Sequence, residues 1–177
     1  MYRKTLAAVC SAFILLGGTA IADNTVTSEQ SVLFGVGIQG DIEGEKDSQF
    51  DNYPALMVQA GLRLNPNWTL FAQYTFANNI KINDTHKTTD VHRYAGLISY
   101  DFMPELNYSF YVMAGLGDEA LPDLDERNGI FATYGLGFHF KIAQGFGLDL
   151  SGAAKHNLDH QDKAILVGAA LTYHFKI

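Results

Sequence analysis

Apolar residues alternate with small or polar residues along almost the whole chain from residue 31 onward. Alternation of this kind is typical of β-strands that have one apolar face and one polar face. The pattern predicts eight strands, at residues 31–40, 55–64, 68–76, 93–102, 108–116, 130–141, 146–155 and 167–177. Each has roughly the ten residues that a tilted strand needs to cross a bilayer. The predicted fold class is therefore all-β.

The connections between the predicted strands alternate in length. Short connections are 65–67, 103–106 and 143–145; long polar ones are 41–53, 77–90, 118–128 and 156–163. Short turns at one rim and long loops at the other are typical of an outer-membrane barrel, whose long loops face outside the cell. Because lipid cannot satisfy an open sheet edge, the first strand must pair with the last. The pattern predicts an eight-stranded antiparallel up-and-down transmembrane β-barrel.

Alternation alone does not say which face points into the barrel, since a water-soluble barrel would hold the apolar face inside. The less apolar face carries Arg63, Gln73, Arg93, Asp101, Asp149 and Lys155. On the apolar face, aromatic residues collect at the short-turn ends, at Trp68, Tyr100, Phe102, Tyr108, Phe110, Phe138, Phe140, Phe146, Tyr173 and Phe175. Such a girdle is favoured at a membrane interface. Both observations favour an apolar face that contacts lipid and a polar face that lines the lumen.

The first residues have the pattern of a secretory signal peptide. Arg3 and Lys4 precede a short apolar run, and Ala20-Ile21-Ala22 supplies the small residues of a cleavage site. The run is too short for a comfortable membrane span, which disfavours the alternative of a retained helical anchor. Cys10 lies inside the run, so we expect it to leave with the signal. The sequence predicts a cleaved signal peptide at 1–22 and a barrel domain at 23–177.

Charge and composition exclude several classes of function. The formal net charge is −7, and removal of Arg3 and Lys4 with the signal makes it −9. Nucleic-acid binding calls for a basic face, so no nucleic-acid partner is expected. The predicted mature chain contains no cysteine, which excludes a disulfide framework and thiol chemistry. Its length suits one domain.

Three segments resemble a known family. Asn65-Pro66-Asn67-Trp68 with the strand at 71–74 resembles the second hairpin of OmpA-like barrels, and 112–117 and 134–138 are similar to that family's fifth and sixth strands. In size the chain is similar to OmpX-type outer-membrane proteins. The resemblance implies biogenesis through the barrel assembly machinery, which reads alternating aromatics in the last strand. Tyr173 and Phe175 fit this pattern, whereas Ile177 stands where the family usually ends on Phe.

The predicted loop at 156–163 contains the weak candidates for an enzymatic site and for a metal site. The lipid A deacylases of this fold carry a His-x-Ser pair late in the chain, but here His156 is followed two residues later by Leu158. Without the serine, His156 has no nucleophile to activate. His156 and His160 have the spacing of helical metal ligands but fall in a predicted loop. We therefore expect no catalytic, cofactor or metal site.

Six charged residues are predicted to point into the lumen, at Arg63, Arg93, Asp101, Lys141, Asp149 and Lys155. Isolated charges in a narrow barrel are costly, so they should form pairs or reach water. Arg63, Asp101 and Asp149 share the half of the barrel near the short turns, and we predict that Arg63 pairs with Asp149 or Asp101. Such a network would plug the lumen; a gate is the alternative.

Two functional hypotheses remain. The first is a non-enzymatic protein of the cell outer membrane, whose four long loops serve adhesion, envelope integrity or defence. The second is a lipid A-modifying enzyme of the same fold. In either case the expected surroundings are outer-membrane lipid and lipopolysaccharide, around a monomeric barrel. The composition of the loops names no external ligand.

Overall fold

The computed structural model describes residues 31–43, 52–81, 88–122, 129–143, 145–159 and 163–176. They form eight strands, which are β1 (Ser31–Glu43), β2 (Tyr53–Arg63), β3 (Trp68–Lys81), β4 (Thr88–Asp101), β5 (Tyr108–Ala120), β6 (Gly129–Ala143), β7 (Phe146–Asn157) and β8 (Lys163–Lys176). Among these residues, no helix is long and apolar enough to span a membrane. The predicted signal peptide at 1–22, as well as Ile177, lies outside the described residues.

The strands close into a barrel. Each pairs antiparallel with its neighbour in sequence, and β1 also pairs antiparallel with β8. Val36 of β1, for example, lies between Val58 of β2 and Leu171 of β8. The predicted eight-stranded up-and-down barrel is confirmed.

The two faces of the wall differ as the alternation predicts. Large apolar side chains point outward, and Leu56, Val36 and Tyr134 are each more than 60 % exposed. The polar and charged side chains of the strands mostly point inward, where they lie beside apolar ones such as Phe71 and Phe131, and Asp41 and Thr172 are each only 1 % exposed. A water-soluble barrel would show the opposite arrangement. The outer face is therefore built to contact lipid.

The predicted aromatic girdle is present at the short-turn rim. Rings lie in edge, tilted or stacked contact from strand to strand, in the order Trp68, Tyr100, Phe102, Phe110, Phe138 and Phe140. A second series runs through Phe146, Tyr173, Phe175 and Phe34. Aromatic rings in this position are typical of the interface between lipid tails and headgroups.

The strands extend further toward the long-loop rim than the sequence pattern predicted. β1 ends at Glu43 instead of residue 40, β5 ends at Ala120, and β7 ends at Asn157. The connections at this rim are therefore only 44–52, 82–87, 121–128 and 158–162. The reason is that the backbone ladder continues beyond the apolar belt, where alternation of hydrophobicity no longer marks a strand.

One irregularity explains why the end of β3 was not predicted. The register between β3 and β4 shifts between Ala77 and Ile80, and both of these side chains are buried in the lumen. Asn79 has a φ of 55°, and its N–H donates to Asp90 Oδ1 at 3.0 Å. Asparagine tolerates this left-handed conformation better than most residues. The β-bulge moves the inward parity by one residue, so a strict period of two fails here.

Candidate functional site

The described lumen holds charged side chains at two levels. The turn-side cluster, near the short turns, consists of Arg63, Asp101, Ser109, His139 and Asp149. The loop-side cluster, near the long-loop rim, consists of Asp41, Tyr53, Arg93, Glu119 and Lys155. Both are assembled from residues far apart in sequence, because closure of the barrel brings inward positions of different strands together.

In the turn-side cluster, Arg63 at the end of β2 contacts Asp101 at the end of β4. Arg63 Nη2 donates to Asp101 Oδ2 at 3.0 Å, and Ser109 Oγ donates to Asp101 Oδ1 at 3.0 Å. The short turn also contributes, since Asn67 Nδ2 donates to the Asp101 backbone oxygen at 2.8 Å. Asp101 thus receives hydrogen bonds on both carboxylate oxygens.

Asp149 contacts a histidine, whereas the sequence offered it as a partner of Arg63. Its Oδ1 lies 2.8 Å from His139 Nδ1, on the neighbouring strand β6. The His139 ring makes an edge contact with His174, at 5.4 Å between ring centroids. Of the two alternatives predicted for Arg63, the structure has the contact with Asp101.

The prediction that Lys141 points into the lumen is wrong. Lys141 is exposed at the short-turn rim, and its Nζ donates to the backbone oxygen of Pro104 at 2.6 Å. The register between β6 and β7 shifts between Lys141 and Ala143. Because the strand leaves the regular ladder here, a lysine of inward parity reaches water and caps a turn carbonyl.

Arg93 of β4 is the centre of the loop-side cluster. Its guanidinium makes ion pairs with Asp41 of β1 and Glu119 of β5, and it also donates to the Tyr53 hydroxyl. Tyr53 in turn donates to Asp41 Oδ2 at 3.1 Å, and its ring lies 5.7 Å from the Arg93 guanidinium carbon. One planar cation thereby joins strands from opposite sides of the barrel.

Lys155 of β7 completes the loop-side cluster. Its Nζ lies 2.8 Å from Glu119 Oε2 and 3.7 Å from Asp41 Oδ2. Two cations therefore face two carboxylates, and all four side chains are at most 9 % exposed. A deeply buried charge cluster is stabilised when its charges balance and are hydrogen-bonded. Here the charges balance and each charged side chain has at least one partner, while Asp41 Oδ1 and Arg93 Nη1 have none among the described residues.

Sequence reasoning missed both carboxylates of this cluster. Asp41 and Glu119 were assigned to the long loops, while their partners Arg93 and Lys155 were correctly placed in the lumen. A signal was available, because Asp41 has the same parity as the inward Gln39 and Glu119 the same parity as the inward Gly117. Extending the alternation into the polar segments would have found them.

Buried apolar side chains lie beside the loop-side cluster, toward the long-loop rim. A buried group at the long-loop end contains Tyr53, Ala55, Ala77, Ile80, Val91 and Leu121. The cavities between lumen side chains are small, at ≈ 50 Å³ beside the turn-side cluster and ≈ 20 Å³ for each of two beside Met113. Spaces of this size hold a few water molecules at most.

Other residues weighed in the sequence lie outside the lumen. His156 belongs to β7 and points outward, and Leu158, where the deacylase pattern has serine, follows in a turn. His160 falls outside the described residues. Within the described part of the chain, no group of three or more His, Cys, Asp or Glu side chains is arranged to hold a metal ion.

Comparison with known proteins gives matches of structure only. No protein-family model and no curated protein matches the sequence. The attachment invasion locus protein Ail of Yersinia pestis, solved with the heparin analogue sucrose octasulfate, has a TM-score of 0.61 and 16 % identity, covering 83 % of this chain and 99 % of Ail.

Two further outer-membrane proteins have the same fold. Neisserial surface protein A matches with a TM-score of 0.59 and 14 % identity, over 84 % of this chain and 98 % of that protein. The outer membrane protein OprG of Pseudomonas aeruginosa matches with a TM-score of 0.59 and 10 % identity, over 88 % of this chain and 100 % of OprG. These are likenesses of fold, and the apolar outer face indicates that the barrel lies in a membrane. The chain has the fold of the small eight-stranded outer-membrane β-barrels that its sequence pattern predicted.

Proposed function

We propose that this chain is a non-enzymatic outer-membrane protein that presents its long loops to the outside and does not conduct solutes through its lumen. One observation carries the proposal. Two charged clusters and a buried apolar group occupy the described part of the lumen. The cavities beside these side chains have volumes of ≈ 50 Å³ in one case and ≈ 20 Å³ in two others. The barrel then acts as a rigid support for the loops, in adhesion, envelope integrity or defence.

The clusters are proposed to plug the lumen and not to gate it. In the loop-side cluster Arg93 bonds two carboxylates at once, and Lys155 bonds Glu119. A gate requires a second arrangement of nearly equal free energy, in which the same charges find other partners. The apolar side chains of Ile80, Val91 and Leu121 above the cluster offer a displaced charge no such partner.

The proposed absence of conductance is tested in planar lipid bilayers. The purified full chain, inserted at known density, is expected to show no stable ion conductance, and Arg93→Ala is expected to show small intermittent openings. Ala114→Ser, on the lipid-facing wall, serves as the matched control. Stable conductance of the unmodified chain would contradict the proposal.

The external ligand is proposed to differ from that of the structural neighbour solved with a sulfated sugar. The segment at residues 118–126 contains five acidic residues, which are Asp118, Glu119, Asp123, Asp125 and Glu126. Of these, Glu119 is neutralised inside the lumen. The remaining acidic side chains would repel a polyanion at low ionic strength. We expect cells that display the protein to bind a heparin surface no better than cells without it.

The enzymatic alternative has a direct test. Mass spectra of lipid A from cells with and without the gene are expected to be identical, because His156 has no serine two residues later to act as nucleophile. Loss or gain of one acyl chain in the presence of the gene would favour the lipid A-modifying enzyme instead.

A further inference from the structure

The lipid-facing wall has a groove on one side. Ala60 of β2 and Ala72 of β3 are paired outward residues, and Gly96 of β4 continues the row. A groove of ≈ 720 Å³ lies over the two alanines. Phe34 and Tyr173 line it toward β1 and β8, while Tyr74 and Tyr94 line it toward the long-loop rim. It is an apolar groove that opens toward the lipid.

On the opposite wall, small outward residues such as Ala114 and Ala154 lie next to the large ring of Tyr134. Outward positions of β6 are occupied by Tyr134, Leu136, Phe138 and Phe140, all of them large and exposed. The groove lies over β1 to β4, and Phe146 and Tyr173 line its edge on β7 and β8, so we expect a preferred lipid contact there.

A polar pair lies at the upper end of the groove, toward the long-loop rim. The Tyr74 hydroxyl lies 2.8 Å from His92 Nδ1, and the Tyr74 and Tyr94 rings stack with centroids 4.9 Å apart. His92 has outward parity and is paired with Phe76 and Ala120. Because Nδ1 is used by Tyr74, the ring's Nε2 is the nitrogen that can reach a ligand. Ala120 leaves space beside it.

An apolar groove that ends in a hydrogen-bonding pair matches an amphipathic ligand. We propose that the groove binds one acyl chain of lipopolysaccharide in the outer leaflet, with a polar group of its lipid A headgroup hydrogen-bonded to His92. The acyl chain gains contacts with Ala60 and Ala72 that it lacks against a flat wall. The projecting rings of Phe34 and Tyr74 fit on either side of a single chain, whereas they would hold a second barrel away from the floor of the groove.

The proposal is tested by lipid binding to the full chain in mild detergent. Delipidated protein is mixed with purified lipid A, and native mass spectrometry counts the bound molecules. The unmodified chain is expected to bind one molecule. Ala72→Trp fills the groove and should weaken binding about tenfold, since it displaces only a few methylene groups. Ala114→Trp makes the same change outside the groove, between Ile98 and Tyr134, and should leave binding unchanged.

The headgroup contact is tested separately with His92→Phe. This variant keeps a ring beside Phe76 but removes the ring nitrogens, so the preference for lipid A over phosphatidylglycerol should be lost while acyl-chain binding remains. Equal lipid A binding by the unmodified chain and by Ala72→Trp would overturn the proposal that the groove holds an acyl chain. An unchanged lipid preference in His92→Phe would overturn the headgroup contact. A disulfide-linked dimer of the Ala60→Cys variant would identify a second copy as the occupant and overturn the lipid proposal.

Two controls keep the outcomes interpretable. Every variant must keep the shift in gel mobility between unheated and boiled samples that a closed barrel is expected to show, because its backbone groups are all paired. The conductance of each variant is measured in parallel. Lipid A binding and lumen conductance are measured separately. Absence of lipid A binding would overturn the groove proposal but not the plugged lumen, and stable conductance would overturn the plugged lumen but not the groove proposal.

Discussion

The two charged clusters of the lumen differ in how completely they are closed off from water. In the loop-side cluster the Arg93 side chain is 4 % exposed, and the two cations face two carboxylates. In the turn-side cluster the Arg63 side chain is 17 % exposed, and one arginine faces both Asp101 and Asp149 beside a cavity of ≈ 50 Å³. The same kinds of residue thus form a dry, balanced group and a wetter, unbalanced one.

The difference indicates how a narrow barrel holds charge. Where water is absent, each charge needs a partner of opposite sign, because an uncompensated buried charge costs several kcal/mol. Where water can enter, a neutral hydrogen-bonding group and solvent can take the place of a missing cation, as the His139 ring beside Asp149 illustrates. We therefore expect substitutions in the loop-side cluster to affect stability strongly and those in the turn-side cluster to affect it weakly.

The largest effect is expected from Arg93→Leu. It leaves Asp41 and Glu119 buried with Lys155 as their single cation, and the free energy of unfolding should fall by about 3–5 kcal/mol. Reversible urea unfolding from lipid vesicles measures it. Adding Glu119→Gln to the variant should restore part of the loss, since one uncompensated carboxylate is removed. A loss below that of Arg63→Leu would contradict the comparison.

The next largest loss of stability is expected from Val112→Lys, and comparison with Met113→Lys tests which face of the wall lines the lumen. Val112 is 40 % exposed on the lipid face, and its neighbour Met113 lies in the lumen between the two clusters. Val112→Lys places an ammonium against lipid and should cost about 2–4 kcal/mol in the same unfolding experiment. Met113→Lys should cost less, because Asp149 lines one of the cavities beside it. A larger loss for Met113→Lys than for Val112→Lys would show that the lipid-facing and lumen-facing sides are the wrong way round.

The sequence allowed much of this comparison to be predicted, but not all of it. Alternation located the strands and the inward parity of Arg63, Arg93 and Lys155, because a wall with lipid on one side imposes a strict period of two. It did not locate the strand ends, since hydrogen bonding between strands continues where lipid no longer selects for apolar residues. Asp41 and Glu119 lie in those extensions.

Partner choice within the lumen was harder to predict than position. The sequence placed Asp101 and Asp149 in the same half of the barrel but could not choose between them as partners for Arg63. Register decides the question, since Asp149 lies directly opposite His139 on β6. Register in a closed barrel depends on the stagger of all its strands, which no single segment specifies.

A smaller effect is expected from Arg63→Leu. The substitution removes the cation from Asp101, but Ser109 still donates to Oδ1, and water in the adjacent cavity can solvate Oδ2. The free energy of unfolding should fall by about 1–2 kcal/mol. Arg93→Leu, with the same change of side chain, is the matched control for urea unfolding. A loss equal to that of Arg93→Leu would show that the turn-side cluster is as dry as its counterpart.

The smallest effect is expected from Asp149→Asn. The turn-side cluster holds two carboxylates for one arginine, so removal of one negative charge relieves repulsion between Asp149 and Asp101. The asparagine oxygen can still accept a hydrogen bond from His139, at the place where Asp149 Oδ1 now lies 2.8 Å from Nδ1. The free energy of unfolding should therefore change by less than about 1 kcal/mol, in either direction. Glu119→Gln makes the same type of change in the loop-side cluster and should destabilise the barrel clearly, because it breaks two contacts of a balanced group. If both variants lost the same stability in urea unfolding, charge balance and water access would not explain the difference between the clusters.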